Sequence, residues 1–370
     1  LGDFLKEEAE MGNYDLTALA VSMICPNNVV KFDDGNGYPS LFVKIPKCTM
    51  ADLISGGSSN VHPAFKVNGT EIDAVYIGKY ETKVVDGKAY SLPGVDPSAS
   101  LDFDHFVSYS NATGVGFHEI TAAEWGLIAL WCKKNGYLPY GNNNYGKDSR
   151  ESNYKAIPTT KDSGTGATNR VATGSGPLSW THDGTIEGIW DLNGNIWEWV
   201  GGIRFVYGEL QILENNNAAD PDNPQTAAGT AWKAIDGTTG ALITPNGSGT
   251  TTNSIKLDYV SGNWKWITGT ISSLSDTSRG CAFVGITIDS SIVAAAKEIL
   301  YALALAPDDA GFDYQGDYFY CNNGNAEHLV FRGGIWGSGT FAGVFSLNAN
   351  NPRTYVNTNF GGRSAYVDLP

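Results

Sequence analysis

Charge is scarce in this 370-residue chain, and basic charge is scarcer still. Asp, Glu, Lys and Arg make up 17% of residues, and 24 Lys and Arg face 39 Asp and Glu, for a formal charge of −15. An acidic balance of that size opposes phosphate backbones and anionic lipid, and no basic cluster is longer than Lys133-Lys134, so no nucleic-acid partner is expected. Long apolar runs are missing as well, which argues against membrane insertion. The opening LGDFLKEEAE has neither the basic nor the apolar region of a signal peptide. Cysteine is sparse: Cys25, Cys48, Cys132, Cys281 and Cys321 are scattered, with no C-x-x-C pair. They read as reduced core thiols, with a Cys25–Cys48 bridge left open. The five histidines, His62, His105, His118, His182 and His328, include no pair at the i, i+4 spacing of a helical zinc site. Phosphate-cradling and nucleophile-elbow motifs are absent. DLNGN at 191–195 offers alternating oxygen ligands, but the twelfth position of a calcium loop would be Gly202 instead of Glu, so a tight polar turn is expected. No metal and no cofactor are predicted.

What the chain does have is turn-forming and aromatic residues, including 45 Gly, 10 Trp and 18 Tyr. This composition suits a turn-rich globular protein of many short strands and long loops. Residues 74–92 alternate about Asp86-Gly87, the dipeptide of a type I′ hairpin. A second hairpin is expected about Ser261-Gly262-Asn263. Two main helices are expected. One opens with a Thr121–Glu124 capping box and closes at Asn135-Gly136. The other runs from a Ser290 or Ser291 cap to Pro307. A short amphipathic helical pattern lies within the first 25 residues. Asn/Gly/Ser/Thr-rich stretches at 141–180 and 215–254 read as surface excursions. No repeat of 20–50 residues occurs.

The segment RGGIWGSGTFAGVF, residues 332–345, combines loop-forming glycine with aromatic side chains that demand burial. It follows at a distance the segment GIWDLNGNIWEWVGG at 188–202. This pairing resembles the signature of the formylglycine-generating-enzyme family, a branch of the C-type lectin fold. YIGKYE at 76–81 and ITAAEW at 120–125 resemble that family's early strand and helix entrance. The resemblance implies an N-terminal segment at 1–30 and an α+β, C-type lectin-like domain of short antiparallel strands at 31–370, with a large insertion at 206–330. That insertion is expected to be ordered, with a mobile portion near 236–254. The catalytic members bind copper through cysteines, at least one lying beyond the RGGIW element, and here no Cys follows Cys321. An enzyme is therefore not expected.

A more specific resemblance is to the variable proteins of diversity-generating retroelements, a phage- or prophage-associated group. In these, RGG-x-W leads through AG-x-F to a terminal GGR or GFR, here Gly361-Gly362-Arg363. Randomised template adenines turn AAC codons into others while scaffold codons stay fixed. The resemblance implies a variable-type region at 332–366 whose ligand-binding positions are Ile335, Gly337, Ser338, Thr340, Phe341, Ser346, Asn348, Asn350, Asn351, Tyr355, Asn357 and Asn359. Phe341 and Tyr355 would be exposed anchors. Arg332, Gly333, Gly334, Trp336, Gly343, Phe345, Trp197 and Trp199 would be scaffold, with Trp336 and Phe345 buried. Residues 335–359 contain no Lys, Glu, Gln or Met, residues that AAC cannot reach by changing adenines alone. The implied function is binding of a protein or glycan on a host or neighbouring cell, from a phage tail, virion or bacterial surface. A homo-oligomer is implied if the chain is part of a tail. Alternatives are a formylglycine-generating-type oxidase and a static tail or surface module.

Overall fold

Local chemistry sets several elements before any packing is considered. In the computed structural model, which describes residues 13–35 and 37–370, Asp86 and Gly87 take φ of +50° and +75°. They join Thr82–Val85 to Lys88–Ser91 in the left-handed turn that type I′ geometry requires. Ser261 and Gly262 do the same between Lys256–Val260 and Asn263–Ile267. Of the helical pattern in the first 25 residues, 1–12 lie outside the described residues and Asn13–Ile24 is helical. Its Leu16, Leu19, Met23 and Ile24 side chains are exposed.

The helix Ala122–Lys134 begins at Thr121 with the reciprocal bonds of a capping box to Glu124, and nearly all of its side chains are buried. The second expected helix is shorter than the sequence pattern suggests, spanning Ala294–Ala302 with Val293 at its N-cap. The Asp289 carboxylate accepts both the N–H and the hydroxyl of Ser291, so the proposed cap is held in a turn instead. At the other end Ala304 takes φ +48°, and the helix stops before Pro307. A third helix, Phe103–Asn111, was not expected. Asp102 caps it by accepting from the His105 N–H.

The fold is α+β, mostly sheet with few helices. A five-stranded sheet has the order Asn28–Phe32, Pro39–Pro46, Ala74–Gly78, Ser364–Tyr366, Phe117–Glu119. A larger sheet is built on Trp197–Val206, His328–Gly333 and Gly343–Asn351. Strands from the 206–330 segment extend it at both edges: Glu209–Ile212 and the Lys256–Ile267 hairpin on one side, Tyr318–Cys321 and Arg279–Ala282 on the other. Within 236–254, Asp236 accepts the N–H groups of Thr238 and Thr239 and bridges to Ser254, while Glu209 accepts from Thr251 and Ser254. All five cysteines are free thiols, Cys25 and Cys48 included.

Alternation gives the large sheet two chemically distinct faces. Val200, Ile203, Val330, Leu347, Ala349, Phe319 and Cys321 point into the main core with the Ala122–Lys134 and Ala294–Ala302 helices. Trp199, Leu329, Phe331 and Phe360 point the other way, under Phe103 and Phe106 of the Phe103–Asn111 helix.

Two buried arginines fasten this arrangement. Arg332 reaches through the core to donate to the carbonyls of Leu303 (2.7 Å) and Ala304 (3.1 Å), at the electronegative end of the Ala294–Ala302 helix. Among the described residues no carboxylate pairs with it, and burial pulls its pKa down to about 9. Arg363 stands where the chain leaves Phe360–Gly362 in the large sheet and enters Ser364–Tyr366 in the small one. It donates two 2.7 Å bonds to the Glu198 carboxylate and one each to the Gly78 and Trp190 carbonyls. The glycines before it are steric necessities. A Cβ at Gly361 would strike Ile196, and one at Gly362 would strike the Glu119 carboxylate.

Candidate binding face

The 333–342 loop is held by its backbone. Gly333 and Gly334 take φ of +90° and +99°, conformations that a side chain would strain. Gly194 N–H donates to the Gly333 carbonyl, Trp336 N–H to the Asn195 carbonyl, Tyr145 N–H to the Trp336 carbonyl and Gly339 N–H to the Asn143 carbonyl. The acceptor loops are rigid in turn. Asn142 and Asn143 donate to the side chains of Asn195 and Asn193, and Asn193 donates to the Pro139 carbonyl. DLNGN is thus the tight polar turn expected from its sequence, with Asp191, Gly194 and Asn195 at positive φ. Gly343 is tied differently, since a Cβ there would overlap the Asp317 carboxylate, which accepts the Phe345 N–H at 2.7 Å.

This fastening corrects one expectation. Trp336 is half-buried and belongs to none of the hydrophobic clusters, so its indole is not the core anchor of the loop; its peptide group is. Phe345 does anchor, packing on Phe283 and Tyr314 at 5.1 and 4.9 Å between ring centroids. Arg332, Gly333, Gly334, Gly343 and Trp199 are buried, and Trp197 is half-buried with its ring edge-on to Phe331 at 5.2 Å.

The positions expected to bind ligand divide. Gly337, Ser338, Phe341 and Asn348 come together with Trp197 and Leu347 around an open depression of about 400 Å³. Its remaining lining residues are Tyr318 and Tyr320, from a strand outside the variable-type region. Phe341 is 56% exposed, and its ring lies 4.6 Å from that of Tyr318. Ile335 is half-buried and bonded to the Ser338 hydroxyl at 3.0 Å, while Thr340 is exposed on the side facing Gly316. Asn350 follows Asn348 on the same face of its strand, and Asn351 pairs with Leu329 at the far end. Asn357 is exposed, and Asn359 is half-buried with its carbonyl accepting the Trp197 N–H.

Two positions are not the outward groups expected. Ser346 is buried because its hydroxyl bridges two segments, donating to the Phe341 carbonyl at 2.6 Å and accepting the Tyr318 N–H at 3.2 Å. Tyr355 is half-buried, its ring edge-on to Phe360 at 5.0 Å, so it helps cover the second core. Tyr318 and Tyr320 escaped the sequence reading. Their signal was present in YFYC, where two tyrosines alternate with residues that became core. Burial pushes the Tyr318 phenol above its usual range, so it stays protonated at neutral pH.

Register explains why these groups meet. Tyr320 lies beside Asn348, Asn348 beside Phe331 and Phe331 beside Trp199, one row across four strands. The Phe103–Asn111 helix covers the Phe331–Trp199 end of the row, and the Tyr320–Asn348 end stays open. Among the described residues, no three His, Cys, Asp or Glu side chains are grouped to hold a metal ion. Burial pushes the thiols of Cys132 and Cys321 well up from their ordinary value.

No family model and no curated protein matches the chain. Among solved structures it is similar to PvdO from Pseudomonas aeruginosa, at 11% identity over 91% of this chain and 97% of that one, with a TM-score of 0.36. It is similar to Treponema denticola variable protein 1, at 12% identity over 92% and 98%, with a TM-score of 0.35. It is also similar to the U1 variant of Major Tropism Determinant, at 14% identity over 91% and 67%, with a TM-score of 0.29.

Proposed function

We propose that the open half of this sheet face is a ligand-binding surface and that the chain is a recognition protein. The observation that carries the reading is the shared depression. Five residues of the 332–366 region, Gly337, Ser338, Phe341, Leu347 and Asn348, meet the rings of Trp197, Tyr318 and Tyr320 there, beside a loop whose backbone is fixed by main-chain bonds that do not depend on side-chain identity. Such a frame permits substitution at its rim while limiting the entropy lost on binding. The motif pairing assigns the scaffold to the formylglycine-generating type of C-type lectin fold, with 206–330 as its insertion. It assigns the rim to a retroelement variable region, carried by a phage or prophage and displayed on a tail, virion or bacterial surface. The target in this reading is a protein or glycan on a host or neighbouring cell. Binding is favoured over oxidase chemistry because the last cysteine, Cys321, is sealed in the main core with its thiol held protonated.

A library of the full chain randomised at 337, 338, 341 and 348 tests this reading. Most members should melt cooperatively within a few degrees of the parent, and selection against an immobilised protein or glycan should yield binders. Collapse of most members would mean that these side chains are structural. In the flanking DNA, a near-copy of the 332–366 coding segment differing mainly at adenines is the expected companion.

A further inference from the structure

We propose that the depression takes a neutral saccharide, with Trp197, Tyr318 and Tyr320 as a fixed stacking floor and Ser338 and Asn348 as a hydrogen-bonding rim. The inference rests on the binding-face reading and adds the ligand's chemical class.

Among the described residues, no charged side chain lines the depression. An anionic ligand would find no cation there and would approach a chain of formal charge −15, and a cationic one would find no carboxylate. What the lining offers is aromatic surface beside single polar groups. Tyr320 is 36% exposed, and its ring is tilted by 32° from that of Tyr318, with centroids 6.5 Å apart. Trp197 is braced from behind by Phe331. A pyranose presents an apolar C–H face to such rings and hydroxyls at its edge, the combination that an aromatic floor with an amide and a serine rim complements.

Asn348 supplies the amide of the rim. A peptide added as an extra strand fits less well. Tyr318–Cys321 is already paired on both sides, and so is Gly343–Asn351, so the depression borders no free strand edge.

The floor lies outside the variable-type region. Tyr318, Tyr320 and Trp197 would then fix the class of ligand, and the rim residues would select among its members.

The test applies the full chain to an immobilised array of neutral, sialylated and sulfated glycans, and in parallel to a phage-displayed peptide library. Thermal melting checks the fold of each variant. At least one neutral glycan should bind, Tyr320→Ala and Asn348→Ala should each weaken it roughly tenfold, and Tyr320→Phe should stay within about threefold of the parent. Binding of a neutral glycan that survives Tyr320→Ala would overturn the placement. Peptides bound through the face and lost in Tyr320→Ala, with no neutral glycan bound, would overturn the saccharide class and leave the binding face standing. Absence of both would overturn both.

Discussion

The two halves of one sheet face differ less in composition than in what lies above them. On the covered half, Trp199, Phe331 and Phe360 interlock edge to face under Phe103 and Phe106. On the open half, Tyr318, Tyr320 and Phe341 have similar ring chemistry but no lid. One sheet carries both halves, so aromatic content does not separate the roofed core from the open surface. The Phe103–Asn111 helix and the 352–359 loop do.

The sharpest way to break this comparison is to empty one site on each half. Trp199→Ala should cost about 3–5 kcal/mol, the range for removing a fully buried aromatic side chain. Equilibrium unfolding in urea would show it, and a loss below about 1 kcal/mol would mean that the covered half is no core. Glu198→Gln should come close behind at roughly 3–5 kcal/mol, because it leaves the buried Arg363 guanidinium without its countercharge. Unfolding curves of this variant and of the double variant Glu198→Gln/Arg363→Met would separate the loss of a partner from the loss of packing. If the single substitution is neutral, the junction between the sheets is held by something else.

Proton linkage sets the main core, on the opposite face of the sheet, against the open half without changing a contact on the latter. His62 is fully buried, accepts the Ala64 N–H at Nδ1 and contacts the Ala302 carbonyl through Nε2, and burial pulls its pKa down to about 4. The folded state therefore stays neutral while the unfolded chain takes up a proton below its ordinary pKa near 6.5. The contribution of His62 is complete above about pH 6.5, falls as pH drops toward 4, and levels off below that. Its size is on the order of 3 kcal/mol. Burial raises Glu81, Glu119 and Asp191, which gives the opposite slope in the same window, so the effect must be read as a difference. The stability gap between the parent and His62→Gln should widen from pH 4 to 6.5 and then stay flat, whereas the gap to Tyr320→Ala should be flat throughout. A pH-independent gap for His62→Gln would refute the assignment.

Trp336→Ala should cost less than a core tryptophan, below about 2 kcal/mol, since the loop's main-chain bonds survive. Smallest of all, Phe341→Ala and Tyr320→Ala should each stay within about 1 kcal/mol of the parent in the same denaturation assay. Losses as large as that of Trp199→Ala would erase the distinction between the halves.

Much of the local structure was legible. The Thr121–Glu124 box, the Asp86-Gly87 and Ser261-Gly262 turns, and the glycines of the RGG segment are dictated within a few residues, where φ preference and capping act, whereas Gly361 and Gly362 answer to side chains distant in sequence. Ser290 and Ser291 misled because Asp289, a neighbour with a competing carboxylate, captured Ser291 first. That Gly337, Ser338, Phe341 and Asn348 share a face was legible from the motif, as was the burial of Phe345 and Trp199. The roles of Trp336, Ser346 and Tyr355 were not, because burial depends on which segment lies across from a residue, and that segment is distant in sequence.

By itself, then, the sequence determined where the chain can turn, which strands have an apolar face, and that a glycine-framed loop near the C-terminus must hold aromatic groups. Only the tertiary structure decided that Tyr318 and Tyr320 stand beside that loop, that Asn-rich turns some 140 to 200 residues upstream fasten its backbone, and that one half of an aromatic face is roofed. Turn and strand preferences are energies of neighbouring dihedrals and side chains. Strand register and the helix over the face are instead set by long-range packing, where a shift of one residue exchanges buried for exposed side chains without changing any local preference.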